Sequence, residues 1–423
     1  VSLEFAPQVT SAIPIGAGYH RFWDLGVAWK DINPAPGVFN WSVLDQRVAQ
    51  SEASGAIPMY VFGLTPQWAA ANPNATSPLS GPGGTSPPAD FGTFQTFVDA
   101  IVSRYGGRIG AYEVWNEANL TTFWSGTPQD MAQMTQIVYQ TVKAKNPGAI
   151  VTAASVTTRL RSPMARFMTP YAQALKAMNF PFDAWAIHTY PAGNQGPPER
   201  KADVQNWQQV VATAIGAGSP GLDKQVWDTE VNYGLAGPGS TPPTDYTDAQ
   251  GADLITQTFA DSLELGIDAT FWYLYTAAPF DLLGVQLWAG TPLSIAAWNA
   301  ARAKYNGGAN LCGGTSGGSG GTSGGSGGTS GGAVATTLTL SSCTRDATGK
   351  KIILTGTSTG AAGQGYTVFL RIGGKRVPFK QQGEGVVASN GSISFTRATT
   401  NAKPVVAYVQ VGSTKSNRVT CPR

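Results

Sequence analysis

Over most of the chain, apolar positions fall into two alternating patterns. Short runs rich in β-branched and aromatic residues, such as IPMYVFGL at 57–64 and AWAIH at 184–188, predict buried strands. Between them, apolar residues recur at helical spacing, as in FGTFQTFVDAIVSRY at 91–105. Strands are predicted over 3–5, 18–27, 57–64, 111–115, 149–154, 184–188, 225–229 and 269–275. Helices are predicted over 42–54, 91–105, 128–146, 162–178, 199–215, 247–265 and 292–305. Strict strand–helix alternation implies a parallel sheet, because each parallel return needs a crossover. About eight such units in roughly 300 residues match a closed (β/α)8 TIM barrel. An open doubly wound sheet is disfavoured, since no G-x-G-x-x-G follows the first strand. The first crossover has no room for a full helix.

The alternation stops at 313–332, where GGTSGGSGGTSGGSGGTSGG offers nothing to bury and predicts a flexible linker. It divides a barrel domain, 1–312, from a second domain, 333–423. The second domain carries TLTLSSC, KKIILTGTS, YTVFLRI, VPFKQQ, SISFTRA and VVAYVQV, short alternating strands that predict an antiparallel β-sandwich. Cys343 and Cys421 fall in its first and last strands, where a disulfide would staple the domain ends. Cys312 is left over, either free or exchanged with Cys343 in the pair. Its aromatics are few (Phe369, Phe379, Phe395, Tyr366 and Tyr408) and include no Trp, which favours an accessory domain without a ligand over a glycan-binding one.

Composition narrows the function. Charged residues are 13%, about half the usual share of roughly 25%, a balance that suits a secreted, extracellular protein. Val1 in place of Met fits a mature form after signal removal, or a chain trimmed at its start. The net charge of +3 is spread without a basic run, which disfavours nucleic acid as a partner. No apolar run reaches the length of a membrane span. The chain has two His and no C-x-x-C, so a structural zinc site is not expected. Twelve Trp and fourteen Tyr supply flat faces that serve cores and sugars alike.

In a parallel barrel, reactive side chains gather at the C-terminal ends of the strands. The fourth strand runs into YEVWNEAN, with Asn116 and Glu117, and the seventh into VWDTEVNYG, with Glu230. Two carboxyls flanking one bond are what glycoside hydrolysis needs: one protonates the leaving oxygen, the other attacks the anomeric carbon. An acid in this role is kept protonated by apolar or negative surroundings, and Trp115 and the partner carboxylate are expected to provide them. Arg21 is the cation expected to hold Glu230 ionised; its alternative is a structural pair with Asp24 or Asp228. Asp228 and Glu113 each precede a catalytic candidate, and strand alternation places Asp228 on Glu230's side but deeper, as a buried paired group. The patternless segment 72–90 follows the third strand; it either shapes the mouth or is a mobile surface loop.

The segments RFWDLGVAWKDINPAPGVFNW, YEVWNEANL, IHTYP and WDTEVNYG resemble the barrel enzymes of glycoside hydrolase clan A, nearest to family 39 and its polysaccharide-active relatives. The likeness spans nearly all of 1–306. It implies Glu117 as acid/base, Glu230 as nucleophile, and Asn116 as a hydrogen-bond donor to the sugar hydroxyl beside the anomeric carbon. It favours a site role for His188, and Tyr190 either tunes the nucleophile or is a wall. Trp272 resembles the clan's sugar-stacking platform, with Tyr275 its rival. Of Trp23, Trp29, Trp68 and Trp124, at least two are expected to line subsites. The first strand departs from the relatives: it reads only LEFAP, without a His. The expectation is a monomeric, secreted, retaining hydrolase of polysaccharides or oligosaccharides, without metal or organic cofactor. The alternatives are a non-hydrolytic glycan-binding barrel and a transglycosylase using the same residues.

Overall fold

The structure is a computed structural model describing residues 1–193, 195–235, 244–278 and 284–305 and, towards the C-terminus, 337–345, 351–359, 365–372, 380–386, 392–398, 405–411 and 414–421. It contains two compact units, Val1–Arg302 and Ala303–Arg423.

The first unit is a closed barrel of eight parallel strands: β1 (Ser2–Phe5), β2 (Tyr19–Phe22), β3 (Ile57–Val61), β4 (Ala111–Glu113), β5 (Ile150–Thr152), β6 (Ala184–His188), β7 (Gln225–Val231) and β8 (Ala269–Tyr275). Each strand pairs with the next, and β8 closes the ring on β1. A two-residue strand, Val156–Thr157, pairs beside the end of β6. The long helices are α1 (Ser42–Ala53), α2 (Phe91–Tyr105), α3 (Pro128–Lys145), α4 (Arg161–Ala177), α5 (Pro197–Ile215), α6 (Asp248–Leu265) and α7 (Pro292–Tyr305). None of the described helices is long and apolar enough to cross a membrane. The first crossover, between β1 and β2, has no helix. Local chemistry starts the helices where the sequence marks them. Thr127 and Asp130 form a reciprocal cap on α3, Thr247 and Gln250 do so on α6, and Pro opens α3 and α5.

Inside the barrel, Met59, Ala111, Ala184, Trp227 and Phe271 form an apolar plug, with Tyr19 packed against it. Two residues beyond Tyr19, Ala111 and Phe271, the alternation of the strands presents Arg21, Glu113 and Tyr273 on the same side. The plug is thus the floor on which a polar layer stands.

The described strands of the second unit all pair antiparallel. One sheet pairs Thr337–Arg345, Lys351–Thr359 and Ser392–Ala398. The other pairs Lys380–Val386, Gly365–Ile372 and Val405–Val411, with Thr414–Lys415 and Val419–Cys421 on the last. Residues of both sheets, including Leu340, Leu354, Val368 and Val409, share one core. Cys343 and Cys421 form a disulfide beside it. The linker 313–332, Cys312 and Phe379 lie outside the described residues.

Candidate active site

Arg21 is the centre of the polar layer. It is fully buried, and all five of its N–H groups are engaged. Nε and Nη2 clasp Glu113 at 3.1 and 2.8 Å. Nη2 also donates to Asn116 Oδ1 at 2.7 Å, and Nη1 donates to Glu4 Oε2 at 2.8 Å and Glu230 Oε1 at 2.5 Å. The expected hold on Glu230 is therefore present. The alternative pairing with Asp24 or Asp228 is not: Glu4 on β1, Glu113 on β4 and Asn116 take the remaining donors.

Glu230 receives a second hydrogen bond, from the Tyr190 hydroxyl to Oε2 at 2.6 Å. Burial and the Glu230 charge hold the Tyr190 phenol well above its usual range, so it stays a donor. His188 Nδ1 lies 3.2 Å from Glu117 Oε1 and 3.5 Å from Glu230 Oε2. Burial opposes charging this imidazole, yet Glu230 and Glu117 outweigh it and raise its pKa.

Glu117 is presented by a backbone turn past the end of β4. Its φ is 43°, a left-handed conformation that costs a non-glycine residue on the order of 1–2 kcal/mol. The turn is held by Ser155: its Oγ accepts from Glu117 N at 3.0 Å, and its carbonyl accepts from Ala118 N at 2.9 Å. Trp115, expected as Glu117's apolar neighbour, is instead fully buried in a pair with Trp124 and donates to Phe123 O. It turns away because Trp124 and the loop behind β4 offer a closed apolar seat.

Asp24 stands exposed past the end of β2 and accepts from the Tyr273 hydroxyl at 3.3 Å. Surrounding protein and the Glu230 charge push it up to about 6. Tyr273 in turn meets Tyr190 edge-on, with ring centroids 6.2 Å apart. The segment 72–90 is pinned rather than loose. Ser77 Oγ donates to Thr122 O at 2.7 Å, Thr85 O accepts from Ser125 N at 2.7 Å, and Thr65 Oγ1 bonds Ser86 O at 2.6 Å. It thereby packs on the loop that follows Glu117.

Several expected site residues lie elsewhere. Trp272 is 0% exposed, donating to Val285 O behind the strand and packing on Tyr233, so it offers no face to a sugar. Tyr275 is likewise buried. Tyr273, between them, is the one that reaches the mouth. Trp29 is 0% exposed, stacked on Phe97 of α2, and Trp23 is buried against Phe123, Val61 and Leu64. Trp124 is also buried, which leaves Trp68, 36% exposed and tied to Asn33 O, as the open indole of that set. Asp228 is buried and paired, but it faces outward, to Arg200 of α5 at 2.7 Å and to Thr189 at 2.5 Å. An extra residue in β7 is the cause: Ile187 pairs with Asp228, whereas His188 pairs with Glu230. The bulge turns Glu230 inward and Asp228 out.

Glu4 and Tyr273 belong to this cluster and were absent from the candidates. A charged residue inside the apolar run of Leu3 and Phe5, and a Tyr two positions past the inward Phe271, were their signals. Among the described residues, no group of three or more His, Cys, Asp or Glu could hold a metal ion.

No protein-family model matches the chain. A 117-residue segment is 26% identical to a "Beta-xylosidase" of Geobacillus stearothermophilus, covering 26% of this chain and 23% of that protein's length. Among solved structures, the chain is similar to GH10 of Paenibacillus barcinonensis, with TM-score 0.49 and 14% identity over 67% of this chain and 87% of that one. It is also similar to native xylanase 10B of Thermotoga maritima, with TM-score 0.48 and 14% identity over 68% and 87%.

Proposed function

We propose that the barrel is a retaining glycoside hydrolase of clan A type, acting on a polysaccharide or oligosaccharide outside the cell. The family 39 resemblance is part of this proposal. The observation that carries it is the approach of two carboxyls to one imidazole nitrogen, with Glu117 at 3.2 Å and Glu230 at 3.5 Å from His188 Nδ1. These two oxygens are then at most about 7 Å apart, a closeness that supports the roughly 5–5.5 Å retaining arrangement.

The roles follow from the partners. Glu230, held by Arg21 and Tyr190, attacks the anomeric carbon, and its Oε–C bond forms as the glycosidic C–O bond breaks. Glu117 gives its proton to the departing oxygen. It then takes one from water, whose oxygen displaces Glu230 and restores both carboxyls. Asn116 Oδ1 is occupied by Arg21, which leaves its amide N–H groups to donate to a neighbouring sugar hydroxyl. Exposed Trp68 is a candidate outer sugar platform, and Asp24 and Tyr273 are walls of the mouth. The Cys343–Cys421 disulfide supports an oxidising, extracellular setting.

The test is sugar release from a panel of plant and bacterial polysaccharides, with xylan and xylo-oligosaccharides first because the named relatives point there. Glu230→Gln is expected to lose release by on the order of a thousandfold or more. Glu117→Ala is expected to regain it with azide, giving a glycosyl azide of retained configuration. Binding of a polymer with no release by the parent protein would overturn the hydrolytic reading in favour of a glycan-binding barrel. Products longer than the substrate would mark transglycosylation.

A further inference from the structure

Glu4 is a carboxyl on the floor of the site with one oxygen bonded and one orphaned. Oε2 accepts from Arg21 Nη1 at 2.8 Å, while Oε1 is buried with no hydrogen-bond partner. The same Nη1 donates to the nucleophile Glu230 at 2.5 Å. The two protons of one nitrogen are thus divided between Glu4 and Glu230. We propose that Glu4 is a positioning residue for the nucleophile, acting through Arg21 to fix the share of the guanidinium that Glu230 receives. This rests on the reading of Glu230 given above.

The charge balance supports it. Glu4, Glu113 and Glu230 surround one guanidinium, with side chains 0–9% exposed. Full ionisation of all three would leave a dry cluster with excess negative charge, and an orphaned carboxylate oxygen is expensive to bury. Glu4 is the member that gives way. Burial, with Glu230 and Asp24 adding to it, drives its pKa well above the usual carboxyl range despite Arg21. As a neutral acid, Glu4 still accepts from Nη1 through one oxygen but does not draw Arg21's charge from Glu230. The groups acting on it come from four sides: Arg21 and Asp24 at β2, Tyr190 past β6, Glu230 on β7 and Tyr273 on β8, while Glu113 on β4 shares Arg21 with it. None of them donates to Oε1.

The variants Glu4→Gln and Glu4→Ala separate positioning from packing. Gln keeps a neutral acceptor for Nη1, so kcat should stay within a few-fold of the parent and the acid limb of kcat/KM should not move. Ala frees one Nη1 proton to turn to Glu230. Expected are a kcat loss of about tenfold or more, the size of one hydrogen bond to a charged group, and an unchanged KM. The acid limb should move to lower pH by about one unit. An inactive parent would overturn the hydrolase reading and this inference with it. An active parent with an Ala variant of unchanged kcat and acid limb would overturn this inference alone. So would Gln and Ala variants equally damaged with the acid limb in place. If Glu4→Ala does not fold, as judged by circular dichroism, Glu4→Gln decides: loss of most of its kcat would rule out the neutral-acceptor role.

Discussion

The five N–H groups of Arg21 leave from a rigid plane in fixed directions, and each meets an oxygen: two on Glu113, one each on Glu4, Glu230 and Asn116. An ammonium has three protons on one point and cannot reach four residues spread over three strands and their ends. Arg21→Lys is therefore expected to keep the charge but lose the geometry, since Glu230 and Asn116 are no longer aimed by one plane. We predict a fall in kcat on the order of 100-fold, larger than that in KM, measured on whichever substrate the parent hydrolyses. Near-parental activity in Arg21→Lys would mean that Glu230 needs only a nearby positive charge. Single residues also explain how the mouth is built. Glu117 sits in a left-handed backbone conformation that Ser155 holds in place, and Tyr190 remains a donor because burial and Glu230 keep it protonated.

At the scale of elements, the sheet does more than carry side chains to one end. The bulge in β7 separates two carboxyls that plain alternation would put on one face, sending Glu230 to the mouth and Asp228 to α5. Arg200 and Asp228 are both fully buried, and Arg200 is further bonded to Thr189 and to Ser262 of α6. This pair is the polar seam between the barrel and its helices. Removing the carboxylate by Asp228→Ala leaves an uncompensated cation, a change that costs about 3–5 kcal/mol. A drop of that size in urea unfolding is the expected result, and a loss below about 1 kcal/mol would show that solvent reaches Arg200. The same bulge marks a limit of legibility. The order of strands and helices was readable because burial on both sides of a parallel strand leaves a continuous apolar run, and helix caps leave Thr, Asp and Pro. The strand ends Glu117, Glu230 and His188 were readable for the same reason. What period-two reasoning could not read was a one-residue slip: it turned Asp228 outward, and an uncertain register in β8 hid Tyr273 between Trp272 and Tyr275. Glu4 was missed because β1 is four residues long and its crossover carries no helical pattern to frame it.

For the molecule as a whole, the barrel buries titratable groups of opposite tendency, and their sum sets how its stability responds to pH. His20 on β2 is 0% exposed, meets Phe5 edge-on at 5.4 Å, and has no hydrogen-bond partner on either ring nitrogen. Burial pushes its pKa down from 6.5 to about 3. The unfolded chain thus binds a proton at His20 that the folded chain refuses, throughout the interval between those values. The contribution of a neutral His20 is fully present above about pH 6.5 and is lost progressively as pH falls towards 3. At pH 5 the deficit is roughly 2 kcal/mol. Asp24, Asp228 and Glu4 run the other way: their pKa values are raised in the folded state, so what they contribute is lost as pH rises. The parent curve mixes both signs, and a comparison isolates one. His20→Leu keeps an apolar side chain of similar bulk between the strand and its neighbours. Its stability relative to the parent, measured by urea unfolding of the barrel transition at pH 7, 6 and 5, should rise by about 2 kcal/mol across that range. A difference that stays flat would mean that the ring finds a partner or takes up its proton inside the fold. The barrel would then tolerate a charge on the outward side of β2, as it does at Arg200 beside Asp228.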